Sequence, residues 1–134
     1  MIMKGLGTAL VTPFTEDGQI DFQSLSILIE HQIAGGTDYL VLLGTTSEAP
    51  TITHKEQDEI IAYAVKQVAG RIPLVLGIGG NSTAVVVERI NELKDTLATH
   101  FAGILSVTPY YNRPQQEGLY LHFSAIAEAS PVPV

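Results

Sequence analysis

The segment Tyr39-Leu40-Val41-Leu42-Leu43-Gly44-Thr45-Thr46-Ser47-Glu48-Ala49-Pro50-Thr51 opens with five apolar or aromatic residues and stops at Gly44 and two hydroxyl side chains. A run that short, free of polar residues and bounded by turn formers, predicts a strand covered on both faces, and such strands belong to parallel sheets. Gly44 lets the backbone approach a ligand closely, and Thr45 and Thr46 offer hydroxyls and backbone N–H groups at the strand's carboxyl end. That end is where α/β folds place their chemistry. An isolated Thr-Thr pair is better read as satisfying turn carbonyls, so the weight of this one depends on the rest of the chain.

The same unit recurs on both sides. Leu6 to Phe14 reads as a first strand ending in a Pro13 turn, followed by a helix that Asp21 can cap, with Phe22, Leu25, Ile29 and Ile33 at helical spacing until Gly35-Gly36. After the Tyr39 strand, Thr53-His54-Lys55-Glu56 has the form of a capping box, and Ile60, Ile61, Ala64, Val65 and Val68 mark the buried face of a second helix ending at Gly70. Ile72 to Gly77 is a third strand. A third helix carries Val86, Ile90, Leu93 and Leu97 on one face, and Gly103 to Val107 forms a fourth strand. Leu119, Phe123 and Ile126 belong to a fourth helix opened near Pro114, and Pro131-Val132-Pro133-Val134 enters a fifth strand.

Four strand-helix units without hairpin signals predict a parallel α/β sheet. A doubly wound dinucleotide fold is discounted, because Gly77-x-Gly79 is followed by Ser82 where a third glycine belongs, with no ribose carboxylate downstream. The remaining architecture is the (β/α)8 TIM barrel of about 250 residues, of which residues 1–134 supply the first four βα units, the N-terminal half of a single domain.

Composition narrows the function classes. At 46% hydrophobic and 16% charged, the chain has the makings of a real core, and its net charge of -7 offers no footprint for a phosphate backbone, so neither disorder nor nucleic-acid binding is expected. Without a signal-peptide core, a membrane-length apolar run or any cysteine, it reads as cytoplasmic, with no membrane partner. Asn81-Ser82-Thr83 matches a glycosylation pattern by accident on that reading. His31, His54, His100 and His122 are scattered without metal-ligand spacing, so no metal is expected and the histidines read as surface residues. What remains are two hydroxyl-rich turns at strand ends, Gly44 to Glu48 and Thr108 to Asn112, which face one mouth in a barrel.

Those turns carry a resemblance. Gly44-Thr45-Thr46-Ser47-Glu48, with Thr12-Pro13-Phe14 before it and Val107-Thr108-Pro109-Tyr110-Tyr111-Asn112-Arg113-Pro114 after it, resembles the N-terminal half of the 4-hydroxy-tetrahydrodipicolinate synthase (dihydrodipicolinate synthase) family over the whole chain. The resemblance implies a TIM-barrel class I aldolase that condenses pyruvate with aspartate 4-semialdehyde through a lysine Schiff base, on the route to diaminopimelate and lysine. It implies no cofactor and a homo-oligomer, a dimer of dimers in the complete enzyme. Thr46 matches the residue that holds the pyruvate carboxylate, and Thr45 and Tyr111 match two hydroxyls of a three-member proton relay. Tyr111 in that family crosses a dimer interface into the neighbouring site, with Tyr110 beside it. The Schiff-base lysine and third relay tyrosine fall beyond residue 134, and Lys4, Lys55, Lys66 and Lys94 are expected to be solvated and misplaced for that role. Ser47 departs from the family's usual glycine and is expected to tighten or reshape the carboxylate pocket.

A second implied site is an allosteric lysine cleft, where Asn81 and Tyr110 match the family but Val85 replaces the carboxylate, Gln57 a common histidine and Pro50 a small wall residue. Two alternatives of function stay open at this point: another pyruvate-dependent aldolase such as N-acetylneuraminate lyase, whose usual turn has Ser-Thr, and a non-catalytic half-barrel acting as a binding module.

Overall fold

Four parallel strands, β1 (Gly7–Ala9), β2 (Tyr39–Leu42), β3 (Leu74–Gly77) and β4 (Gly103–Leu105), lie side by side in chain order in a computed structural model that describes residues 3–134. Met1 and Ile2, with which the expected domain begins, lie outside the described residues. Each strand is followed by helix: α1 (Phe22–Ala34), α2 (His54–Val68), α3 (Thr83–Glu92) with α4 (Lys94–His100), and α5 (Gln116–Ala129). Sequential parallel pairing with helical returns is the arrangement of half a (β/α)8 barrel.

Register explains the layers. Leu42 pairs with Leu76 and Leu76 with Ile104, so this row shares one face of the sheet, and all three are buried in a core with Leu25, Ile29, Ile60, Val86, Ile90 and Ile126 from the helices. Removing one such side chain from water stabilises the fold by about 1.5–3 kcal/mol. Val41 and Val75, one residue out of phase, point to the opposite face, where Leu105 stands 52% exposed.

Local signals act as their chemistry dictates. The Asp21 carboxylate accepts from the Ser24 N–H at 3.0 Å and opens α1. Thr53 and Glu56 form a reciprocal capping box at α2. Glu30 of α1 receives a bidentate Arg71 guanidinium (2.5 and 2.8 Å) and the Gln67 amide (2.7 Å), tying α1 to the end of α2.

Several boundaries differ from expectation. The first strand is only three residues long, although Leu10 extends the pairing through its N–H to the Val41 carbonyl, and beyond it Phe14 and Ile20 make an antiparallel bridge across a turn. Ala69, not Gly70, takes the left-handed cap of α2. The third helix breaks at Leu93, whose φ of -96° and ψ of 9° leave the helical range. Residues 131–134 form no strand: Pro131 and Pro133 lack the N–H groups a ladder needs, yet the Pro133 carbonyl accepts from Ile104 N at 2.8 Å, alongside β4 where a fifth strand belongs.

Candidate active site

The site begins with a bend that no residue type announces. Leu43 has φ +53° and turns the chain sharply at the end of β2, against the usual preference of a bulky side chain. Gly44-Thr45-Thr46-Ser47 then winds into a 3₁₀ turn over Thr45–Ser47, with a second over Ala49–Thr51. Ser47 is 2% exposed and its hydroxyl donates to the Gly44 carbonyl at 2.7 Å. Its side chain therefore tightens the turn from beneath rather than projecting towards a ligand. Thr45 and Thr46 are exposed, and among the described residues neither hydroxyl is taken up by a turn carbonyl, so both remain able to bind.

Across the mouth stands the loop after β4. Tyr111 has φ +69° and the Asn112 N–H donates to the Tyr110 carbonyl at 2.8 Å, a γ-turn of the rarer hand, and Arg113 follows at φ +48°. Non-glycine residues held this way cost about 1–3 kcal/mol each and persist only where their surroundings enforce them. Tyr110 is 52% and Tyr111 91% exposed. Asn112 Nδ2 donates to the Asn81 carbonyl at 2.7 Å, binding this loop to the β3–α3 loop. Gly79 makes the approach possible, since a Cβ there would press to 2.7 Å from Val107 Cγ1.

A cavity of about 410 Å³ lies between these turns and α3. Thr45, Pro50, Gln57, Val85 and Tyr110 all line it, whereas Thr46, Asn81 and Tyr111 stand outside its wall. The exposed lysines Lys4, Lys55, Lys66 and Lys94 do not reach it.

Two lining residues were not anticipated. Arg89 is 8% exposed, and its guanidinium pairs with Asp58 of α2 and, at 3.0 Å, with Glu92. Its one available signal is a charge among the apolar positions of α3, next to Ile90 and one turn from Val86. Ser106, just past β4, holds a buried hydroxyl with no partner among the described residues.

The histidines need one correction. His122 is not a surface residue: it is 2% exposed on the inner face of α5, its Nδ1 lies 2.8 Å from the Thr83 hydroxyl, its Nε2 is buried without a partner among the described residues, and burial holds its pKa below the ordinary value. Among the described residues no three His, Asp or Glu side chains converge as a metal site would require, and no helix is long and apolar enough to cross a membrane.

Known proteins share this arrangement. The profile of the Dihydrodipicolinate synthetase family matches residues 2–134. A 4-hydroxy-tetrahydrodipicolinate synthase from Parabacteroides distasonis is 52% identical over 132 residues, 98% of this chain and 43% of that protein, and one from Flavobacterium psychrophilum is 52% identical over 130 residues, 97% and 43%. Among solved structures, the Bacillus anthracis dihydrodipicolinate synthase superposes with a TM-score of 0.91 at 40% identity, over all of this chain and 45% of that one. The chloride-inhibited Acinetobacter baumannii dihydrodipicolinate synthase complexed with pyruvate gives 0.91 at 42% identity, over 98% and 44%. The chain thus spans less than half the length of the relatives it matches. By sequence and by fold, the chain belongs to the dihydrodipicolinate synthetase family.

Proposed function

We propose that these residues are the amino-terminal half-barrel of an enzyme that condenses pyruvate with aspartate 4-semialdehyde through a lysine imine, in diaminopimelate and lysine biosynthesis. The observation that carries the proposal is the pair of free hydroxyls at Thr45 and Thr46, presented at the carboxyl end of β2 by a turn that Ser47 closes from below. The pyruvate bound in the 42% identical Acinetobacter enzyme supports a keto-acid as first substrate.

In this scheme a lysine amine from outside the chain attacks the pyruvate carbonyl, and water leaves as the imine forms. Thr46 holds the substrate carboxylate through its hydroxyl and backbone N–H, both hydrogen-bond donors suited to an anion. Thr45 and Tyr111 pass protons to and from the reacting oxygens, because a hydroxyl both donates and accepts. With its ring 91% exposed, Tyr111 is well placed to act in a neighbouring copy's site, which supports a homo-oligomer. A cysteine-free chain fits a reducing, cytoplasmic setting.

The test is borohydride reduction in the presence of pyruvate, read by peptide mass spectrometry. The complete protein is expected to gain a reduced pyruvate adduct on a lysine beyond residue 134, and the 134-residue chain none. An adduct on Lys4, Lys55, Lys66 or Lys94 overturns the assignment.

A further inference from the structure

We propose that Asn112 is a positioning residue for Tyr111, acting through its amide bond to the Asn81 carbonyl; this deepens the proposed function and rests on the relay role given there to Tyr111. The case starts from what Tyr111 lacks. With its side chain 91% exposed, its own chain gives the ring almost no support, so the direction in which the phenol leaves the loop is set by the backbone. That backbone is in a costly state, with Tyr111 at φ +69°, Arg113 at φ +48° and a two-residue hydrogen bond from Asn112 N to the Tyr110 carbonyl. A strained turn on an exposed loop relaxes unless something outside it holds it.

Among the described residues, Asn112 makes the side-chain hydrogen bond that leaves that turn. Its Nδ2 donates to the Asn81 carbonyl at 2.7 Å, and Asn81 sits in the β3–α3 loop, a different strand's connection. The anchor is itself fixed. Two residues on, the Thr83 hydroxyl lies 2.8 Å from Nδ1 of the buried His122 in α5, and Gly79 brings the β3 end against Val107. The strained residue is thereby flanked by a clamp to a rigid neighbour, as a catalytic group needs when a displacement of about 1 Å can cost about 10²-fold.

The test compares Asn112→Ala, Asn112→Asp and Tyr111→Phe in the complete enzyme, measuring kcat, KM for pyruvate and melting temperature. Asn112→Asp keeps the shape but cannot donate when ionised, so both Asn112 variants are expected to lower kcat about 10- to 100-fold. KM for pyruvate should change far less, because Thr46, not this loop, binds the carboxylate, and the melting temperature should stay within a few degrees. Asn112→His, which restores a donor at the same reach, should recover part of kcat. If Tyr111→Phe lowers kcat but Asn112→Ala and Asn112→Asp do not, the positioning role is wrong while the relay stands. If Tyr111→Phe is itself without effect, the relay assignment fails and the positioning role with it. A loss in the Asn112 variants that tracks only a fall in melting temperature also overturns the proposal.

Discussion

The carbonyl of Leu43 rests directly on the backbone of Gly77, in the space that a Cβ at that residue would fill. Leu43, just past β2, is in a left-handed conformation, and Gly77 is the last residue of β3, so the sharp exit of the Thr45-Thr46 turn is possible only because its neighbour has no side chain. Gly77→Ala forces these two backbones apart. The substitution should destabilise the protein by about 1–3 kcal/mol, the range for overpacking a rigid site. It should also weaken pyruvate binding, because the turn that carries Thr46 moves with Leu43. A variant with unchanged melting temperature and unchanged KM for pyruvate would show that the contact is easily relieved.

This contact marks where sequence patterns end. The Asp21 cap, the Thr53–Glu56 capping box and the strand-helix alternation are local: the partners lie within four residues and the period of apolar residues reports the buried face. The Thr45–Thr46 turn and the Tyr110–Tyr111 loop were legible as hydroxyl-rich strand ends, and the family resemblance supplied their proposed roles. By contrast, the left-handed Leu43, Tyr111 and Arg113 carry no glycine or asparagine signal, since their conformations are imposed by contacts made elsewhere. Arg89 finds Asp58 31 residues away and His122 finds Thr83 39 residues away, separations that no periodicity encodes. That is why the sequence reads His122 as a surface residue, whereas the packing of α3 against α5 buries it.

Acid should act first through His122. Burial lowers its pKa from the ordinary 6.5, so the folded state favours the neutral ring while the unfolded chain protonates normally. Its contribution is therefore complete above pH 6.5 and declines as pH falls from there towards the lowered value, because the unfolded state then binds the extra proton. In the complete protein, His122→Asn should flatten the fall in melting temperature between neutral pH and pH 5. A variant whose melting temperature falls as steeply as that of the parent would remove His122 as the source.

Glu30 works in a lower window. Its hydrogen bonds, to Arg71 first and Gln67 second, hold its pKa at about 2 against an ordinary 4.5, so the stabilisation is present above pH 4.5 and lost as pH falls towards 2. Both partners are nearly half exposed, at 42% and 45%, so the gain is small and weakened by salt. Glu30→Gln should lower the melting temperature slightly at neutral pH, and the difference should vanish near pH 2 or in high salt. A difference that persists under both conditions points to packing instead.

The hydroxyl assignments separate kinetically. On the proposed relay, Thr45→Val and Tyr111→Phe each remove one hydroxyl and little volume, so in the complete enzyme kcat should fall by about 10²–10⁴-fold with a much smaller rise in KM for pyruvate. Thr46→Val should show the reverse emphasis, because the proposed role of this exposed hydroxyl is to bind the carboxylate. Steady-state kinetics decide between them: if all three changes move only KM, no relay runs through Thr45 and Tyr111.

Feedback by lysine should be weak or absent in the complete enzyme. A cleft that binds lysine must offset the cost of burying an ammonium group, and a charge-assisted hydrogen bond supplies about 1.5–3 kcal/mol of that. On the family resemblance Val85 stands where the carboxylate is expected, and it lines the cavity as an apolar, 53% exposed side chain. Gln57 is no substitute, since its side chain is uncharged, its Nε2 being held by the carbonyls of Ile52 (3.1 Å) and Ala49 (3.4 Å), and Glu88 is absent from the cavity wall. The charge that does line the wall is the Arg89 guanidinium, which repels a second cation even though Asp58 and Glu92 partly neutralise it. Loss of the carboxylate alone should weaken lysine binding by about tenfold or more, the equivalent of one such bond. Val85→Glu should bring sensitivity back, with Tyr110 and Pro50 unchanged beside it. Initial rates against lysine concentration give the answer: half-inhibition of the parent enzyme at sub-millimolar lysine, or a Val85→Glu variant no more sensitive than the parent, would refute this account of the cavity.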